Sequence, residues 1–194
     1  MELEFPVVLK KLEVMTDEEF FDFCRANDPL ELERDKNGNI IIVSPTGSKT
    51  GNINLTLASR VFLWNEENRA GYTFDSSTGF RLPNGATRSP DVAWIQKDRW
   101  EAIPEDQQEK FAPFCPDFVI ELRSASYDLN YLQNKMEEYR SAGCRLGWLI
   151  DRKAQQVFIY RPDQPIDVIS SFAQILTGEG VLPGFTFDLA LLTR

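Results

Sequence analysis

Two carboxylates and a lysine sit where their chemistry would be costly unless it were used. Asp91 follows Arg88-Ser89-Pro90 and opens the apolar run Val92-Ala93-Trp94-Ile95. Glu121 lies inside Phe118-Val119-Ile120-Glu121-Leu122-Arg123. Strand alternation puts Phe118, Ile120 and Leu122 on one face and Val119, Glu121 and Arg123 on the other. An acid and a base then leave the same sheet face beside a valine, where polar groups without partners are expensive. One reading is an internal Glu121–Arg123 ion pair or an exposed face. The other is a working site completed by Asp91 from a neighbouring strand. A second Pro-Asp pair, Pro116-Asp117, does not compete for that role. Asp117 and Glu121 on one strand stand roughly 13 Å apart at about 3.3 Å per residue, too far to share a cation bound at about 2.1 Å. Asp117 reads as a strand-entry residue.

The lysine is Lys135. Leu129, Leu132, Met136 and Tyr139 recur at helical spacing and define a buried stripe that Lys135 flanks. From there a long side chain reaches over the sheet toward Glu121, or else snorkels to the surface. Two acids with a nearby cationic group suit a divalent cation and a phosphate substrate. Paired carboxylates alone would also suit glycoside hydrolysis, but the neighbouring lysine and arginine favour phosphate.

Composition narrows the chemistry further. With no histidine among 194 residues, a Ser-His-Asp or Cys-His nucleophile, a histidine base and a histidine-bound zinc are all excluded. Cys24, Cys115 and Cys144 are dispersed and odd in number, which predicts free thiols in a reducing compartment. Metal chemistry must rest on carboxylates, hence Mg²⁺ or Mn²⁺. No apolar run approaches the roughly 18–20 residues of a membrane span. The start, MELEFPVVLKKLEVM, lacks the layout of a signal peptide, so no membrane association and a cytoplasmic location are expected. The net charge of −9 argues against a non-specific nucleic-acid coat. Within residues 121–161, however, seven basic side chains outnumber five acids, compatible with a local phosphate-facing site.

The elements that must position these groups are legible in outline. Thr16-Asp17-Glu18-Glu19 predicts a capped helix ending near Asn27. Asn37-Gly38 between Leu30–Glu33 and Ile40–Val43 predicts a hairpin. Asn52 to Arg69 reads as an amphipathic helix through Ile53, Leu57, Val61 and Trp64. The preceding Thr46–Gly51 stretch lacks phosphate-loop spacing and reads as a turn. Short strands follow at 72–74 and 79–82, then a strand at 91–95, polar short turns over 97–112, and a strand at 117–123. A helix over 128–142 closes at Gly143, strands follow at 145–151 and 156–161, and Pro183-Gly184 turns the tail. Trp64, Trp94, Trp100 and Trp148 read as core or interface. The order predicts one α/β domain spanning residues 1–194, a central mixed sheet flanked by helices.

Pro90-Asp91, followed some thirty residues later by Glu121-x-Arg123, resembles the PD-(D/E)xK nuclease pattern. The stretches IIIVSPTG, FDSSTGFRLPNGATRSPDVAWI, CPDFVIELRSAS, LQNKMEEYRSAGCRLGWLID and VLPGF are similar to the bacterial Uma-type restriction endonuclease family over nearly the whole chain. The resemblance implies a restriction-endonuclease-like α/β fold and Mg²⁺- or Mn²⁺-dependent cleavage of DNA by a homodimer. It implies Asp91 and Glu121 as metal ligands, with an early acid, Glu33 or its neighbour Glu31, completing the site. The lysine two residues after the glutamate is replaced by Arg123, and Lys135 matches the lysine relocated to the following helix. Arg123 and Tyr139 would support the site. A guanidinium cannot act as a base, so Arg123 at that position, with the −9 charge, also suits a non-catalytic interaction or regulatory module that keeps the nuclease fold.

Overall fold

The computed structural model describes residues 6–10, 15–124 and 127–193. In chain order these form β1 (Val7–Leu9), α1 (Asp17–Ala26), β2 (Glu31–Arg34), β3 (Ile40–Val43), α2 (Ser48–Asn68), β4 (Gly71–Phe74), β5 (Phe80–Arg81), β6 (Thr87–Arg88), β7 (Val92–Gln96), α3 (Lys97–Glu101), α4 (Glu105–Gln108), β8 (Phe118–Leu122), α5 (Leu129–Ser141), β9 (Leu146–Asp151), β10 (Gln156–Tyr160), β11 (Asp167–Ile169), β12 (Ile175–Thr177), β13 (Thr186–Asp188) and a closing 3₁₀ turn, Leu189–Thr193.

Six strands build the main sheet in the order β11-β10-β9-β8-β7-β4. At its centre β8 and β9 run parallel, joined by α5 as a crossover helix. Both strands are buried along their whole length, so each reads as a near-continuous apolar run. On one face α2 lays Ile53, Leu57, Val61 and Trp64 against Trp94, Phe118, Ile120 and Trp148. On the other, α5 lays Leu132, Met136 and Tyr139 over Val119, Leu149 and Phe158. Each fully buried aliphatic or aromatic side chain of this kind contributes about 1.5–3 kcal/mol. Gly147 lets α5 sit close: a Cβ there would lie 2.5 Å from the Met136 methyl.

The single sheet expected from the sequence is resolved into two larger layers. The hairpin β2–β3 belongs to a separate five-stranded sheet, β1-β3-β2-β6-β5. There β2 pairs with β3 on one side and with β6 on the other, and β4 and β11 remain the edges of the main sheet. The capping box holds, with Thr16 accepting from the Glu19 amide and Glu19 returning to the Thr16 amide. Gly38 takes the hairpin's positive φ of 84°. The second helix begins four residues earlier than the apolar stripe predicted, at Ser48, and it stops because Arg69 is left-handed. The strands β11, β12 and β13 carried no clear alternation and were not expected. Trp64, Trp94 and Trp148 are core residues, and the three cysteines are free thiols.

Candidate active site

The site forms where the two sheets approach one another, and the register of the main sheet begins it. Val92 faces Ile120 across the antiparallel β7–β8 pair. One step outward, this brings Asp91 alongside Glu121. The contact is closed by the backbone, since the Leu122 amide donates to Asp91 Oδ2 at 2.7 Å. Asn54 of α2 donates to the other oxygen at 3.1 Å. Both donors are neutral, and Asp91 has no ion pair among the described residues. Burial pushes its carboxyl above the ordinary range, only partly offset by the Leu122 amide and by Lys135.

Glu121 shares its face with Val119, as alternation required, and that is the face α5 covers. Lys135 Nζ and Tyr139 Oη, one helical turn apart on α5, both donate to Glu121 Oε1, at 2.8 and 2.9 Å. Burial raises the Glu121 carboxyl to about 7, because the attraction of Lys135 is outweighed once Asp91 and Glu33 add their charge. Tyr139 is likewise pushed well up, by burial and then by Glu121, so it stays a phenol and a donor.

Lys135 is buried and fully engaged. Its ammonium reaches Glu33 Oε1 at 2.8 Å, Glu121 Oε1 at 2.8 Å and the Ser89 carbonyl at 3.3 Å. Burial disfavours that charge, but Glu121 and Glu33 outweigh it and hold the ammonium above its ordinary pKa. Lys135 is therefore a fixed positive charge and not a proton acceptor.

Glu33, from β2, is tied from three directions. Besides Lys135, the Ser89 amide donates to Oε1 at 2.9 Å and Arg88 Nη1 to Oε2 at 3.0 Å. Burial alone would raise its carboxyl, yet Lys135 and Arg88 prevail and lower it. Arg88 continues to Glu138 of α5 at 2.6 Å. Glu31 is exposed at the cleft rim. The cleft itself, about 170 Å³, is lined by Glu33, Asp91, Glu121 and Lys135, together with Tyr127 and Tyr131.

Arg123 takes a different direction. It bonds Asp151 of β9 at 2.6 Å and the Tyr127 carbonyl at 3.0 Å, so neither the Glu121–Arg123 pair nor a cleft-facing guanidinium is formed. The register explains this: Glu121 lies beside Leu149 in the parallel pair, and two residues on, Asp151 lies beside Arg123. Sequence reasoning did not find Asn54, Arg88 or Glu138. Asn54 left one trace, a polar residue next to Ile53 on a helix otherwise read through its apolar stripe.

A cation's fit is decided by charge and donors. Glu33, Glu121 and Glu138 share the charges of Lys135 and Arg88, and Asp91 has no ion pair among the described residues, so four acids face two cations. Hard carboxylate oxygens with an excess of two negative charges suit Mg²⁺ or Mn²⁺. Among the described residues no three acidic or thiol groups converge into a ready-made cage, because Lys135 stands between Glu33 and Glu121. Asp91 and Glu121 are the pair left to hold an ion.

Residues 17–191 match the Uma2 family, described as "Putative restriction endonuclease", and the chain belongs to it. Its structure is similar to a crystal structure from Anabaena variabilis titled a putative nuclease belonging to DUF820. The TM-score is 0.78 at 20% identity, covering 92% of this chain and 97% of that one. The fold is accordingly restriction-endonuclease-like. No curated protein matches the sequence. No helix among the described residues is long and apolar enough to cross a membrane.

Proposed function

We propose that this protein is a Mg²⁺- or Mn²⁺-dependent endonuclease that hydrolyses phosphodiester bonds in DNA. The observation that carries the reading is the excess of acids over cations in one cleft, with Asp91 unpaired beside Glu121 and a single locked ammonium between Glu121 and Glu33. Asp91 and Glu121 would hold the cation. When bound, it would polarise the phosphodiester and lower the pKa of a water. The protein's own residues supply orientation and charge. The Asn54 amide and the Leu122 N–H hold Asp91, while Tyr139 and Lys135 hold one oxygen of Glu121 and leave the other available.

Lys135 supplies positive charge opposite the developing phosphorane, which favours the transition state over the ground state. Of its three contacts the Ser89 carbonyl is the longest, and that is the one a phosphate oxygen would displace. Arg123 fixes the chain leaving β8 through Asp151 and does not touch substrate. A homodimer would give one site for each strand of a duplex, which light scattering of the purified protein tests.

Plasmid nicking with Mg²⁺ and with Mn²⁺ tests the activity, using wild type, Asp91→Ala and Lys135→Met purified identically. Nicking by wild type, reduced about a hundredfold or more in both variants, is the expected result. Equal nicking by all three would expose a contaminant. A wild type that binds DNA without cutting it would return the weight to a non-catalytic module.

A further inference from the structure

The wall of the cleft contributed by β3 and α2 contains two polar atoms with nothing to bond. Ser44 Oγ, at the end of β3, and Asn54 Oδ1, on α2, are buried and have no hydrogen-bond partner among the described residues. Both residues line the same cleft as Asp91 and Glu121. A buried acceptor left unpaired costs about 1–3 kcal/mol, so two in one wall call for an explanation. Reversing the Asn54 amide does not supply one. Its Nδ2 donates to Asp91 Oδ1 at 3.1 Å, and the reversed amide would set two acceptors against each other. Asn54 Oδ1 is thus held as an acceptor by the same contact that steadies Asp91.

Asn54 Oδ1 can only accept and the Ser44 hydroxyl is able to accept, and the chemistry of the neighbouring acids says what kind of donor would serve both. Glu33 is occupied by Lys135, Arg88 and the Ser89 amide, so two carboxylates remain for a cation that takes six ligands. Mg²⁺ dehydrates reluctantly and fills such a shell with water. A water whose lone pair faces a cation turns its protons outward and can only donate. Its surroundings must offer acceptors.

We propose that Asn54 and Ser44 are the outer shell of the cation site, accepting hydrogen bonds from the waters that Mg²⁺ or Mn²⁺ carries. Asn54 has a second duty, holding Asp91. The inference rests on the metal-dependent reading above and assigns to it two positioning residues from two elements, the end of β3 and α2, that carry none of the acids. The site is then built for a partly hydrated ion held between an acidic strand pair and a neutral acceptor wall. Outer-shell groups of this kind typically change metal affinity 10- to 100-fold when removed.

The test is Mn²⁺ binding to the DNA-free protein, measured by calorimetry and by the electron paramagnetic resonance signal of free Mn²⁺. It compares wild type, Ser44→Ala, Asn54→Leu and Asp91→Ala, with thermal melts in the absence of metal. Asn54→Leu is expected to weaken Mn²⁺ about tenfold or more, and Ser44→Ala severalfold. Without metal, Ser44→Ala should melt at or above the wild-type temperature, since it deletes a buried unpaired hydroxyl. Should Asn54→Leu fail to fold, Ser44→Ala decides the matter alone, because the Ser44 hydroxyl has no hydrogen bond to Asp91 or Glu121. Wild-type Mn²⁺ affinity in the variants would overturn the outer-shell assignment while leaving the metal reading intact. A Ser44→Ala protein that melts lower yet binds Mn²⁺ normally would also overturn it, by making the hydroxyl structural. A wild type that binds no Mn²⁺ would instead bring down the metal reading, and this inference with it.

Discussion

Asp91 and Asp117 begin alike. Each follows a proline at the entry to a buried strand of the main sheet, and each uses one oxygen to accept a backbone amide, Leu122 for Asp91 and Gln96 for Asp117. Their remaining partners separate them. Asp117 meets two guanidinium groups, Arg99 at 2.7 Å and Arg145 at 3.7 Å. Among the described residues Asp91 meets only the neutral Asn54 amide besides, and it sits among other acids. A compensated carboxylate closes a structure, whereas an uncompensated one keeps binding capacity. The same dipeptide therefore serves as a joint at one end of the sheet and as half of a candidate ion site at the other.

Exchanging the charge at each position tests the contrast most severely. Asp91→Asn should abolish metal-dependent nicking, by about a hundredfold or more, while the metal-free protein melts at or above the wild-type temperature. Asp117→Asn should do the opposite. Both arginines facing it are more than a third exposed, which discounts the ion pairs, so a loss of about 2 kcal/mol is expected, or roughly 4–8 °C in melting temperature. Nicking by the folded Asp117→Asn protein should stay within a few-fold of wild type. If Asp91→Asn destabilised the protein and Asp117→Asn did not, the division of labour would be reversed.

The next effect is a pH dependence of stability in metal-free buffer. Glu121 holds its proton up to about 7 in the folded protein, against an ordinary value of 4.5, chiefly because it is buried. The folded state thus binds this proton more tightly than the unfolded chain does. Its contribution is fully present below pH 4.5 and is lost as pH rises toward 7. The size is on the order of 1–3 kcal/mol. Chemical denaturation from pH 5 to 8 should show that decline in wild type and a flatter profile in Glu121→Gln. Equal slopes would mean that Lys135 alone compensates Glu121.

The smallest effect concerns Arg123. Arg123→Lys keeps a cation near Asp151 but loses the planar fork that also reaches the Tyr127 carbonyl. A loss of about 1 kcal/mol in stability is expected, with nicking within a few-fold of wild type. A loss of nicking near that of Lys135→Met would place Arg123 at the substrate and contradict the geometry.

Much of this architecture was open to reading from local signals. Thr16 and Glu19 announced the first helix, Asn37-Gly38 the hairpin, and the stripe Leu132, Met136 and Tyr139 the buried face of α5. Alternation in Phe118–Leu122 separates Glu121 from Phe118, Ile120 and Leu122 and puts it with Val119, and the spacing to Asp117 separates the two Pro-Asp acids. These inferences succeed because helix caps, turns and side-chain alternation depend on residues a few positions apart. Position and spacing had already offered Asp91 and Lys135; the family resemblance added an early acid, Glu33 or Glu31, and the fold brings Asp91, Lys135 and Glu33 to one cleft with Glu121.

The tertiary structure decided what spacing could not. Whether Glu121 would pair with Arg123 or with Lys135 depended on Asp151 arriving from β9 to take the arginine. Whether the hairpin would extend the main sheet or found a second one depended on β6, more than fifty residues downstream, arriving to pair with β2. Asn54, Arg88 and Glu138 entered the site from three elements, none of them marked by a motif. The absence of histidine, the free cysteines and the positions of the acids were fixed by the chain alone. Which charges cancel was settled only by packing, because the energy of a buried carboxylate is set by the partners that fold places around it, and not by its neighbours in sequence.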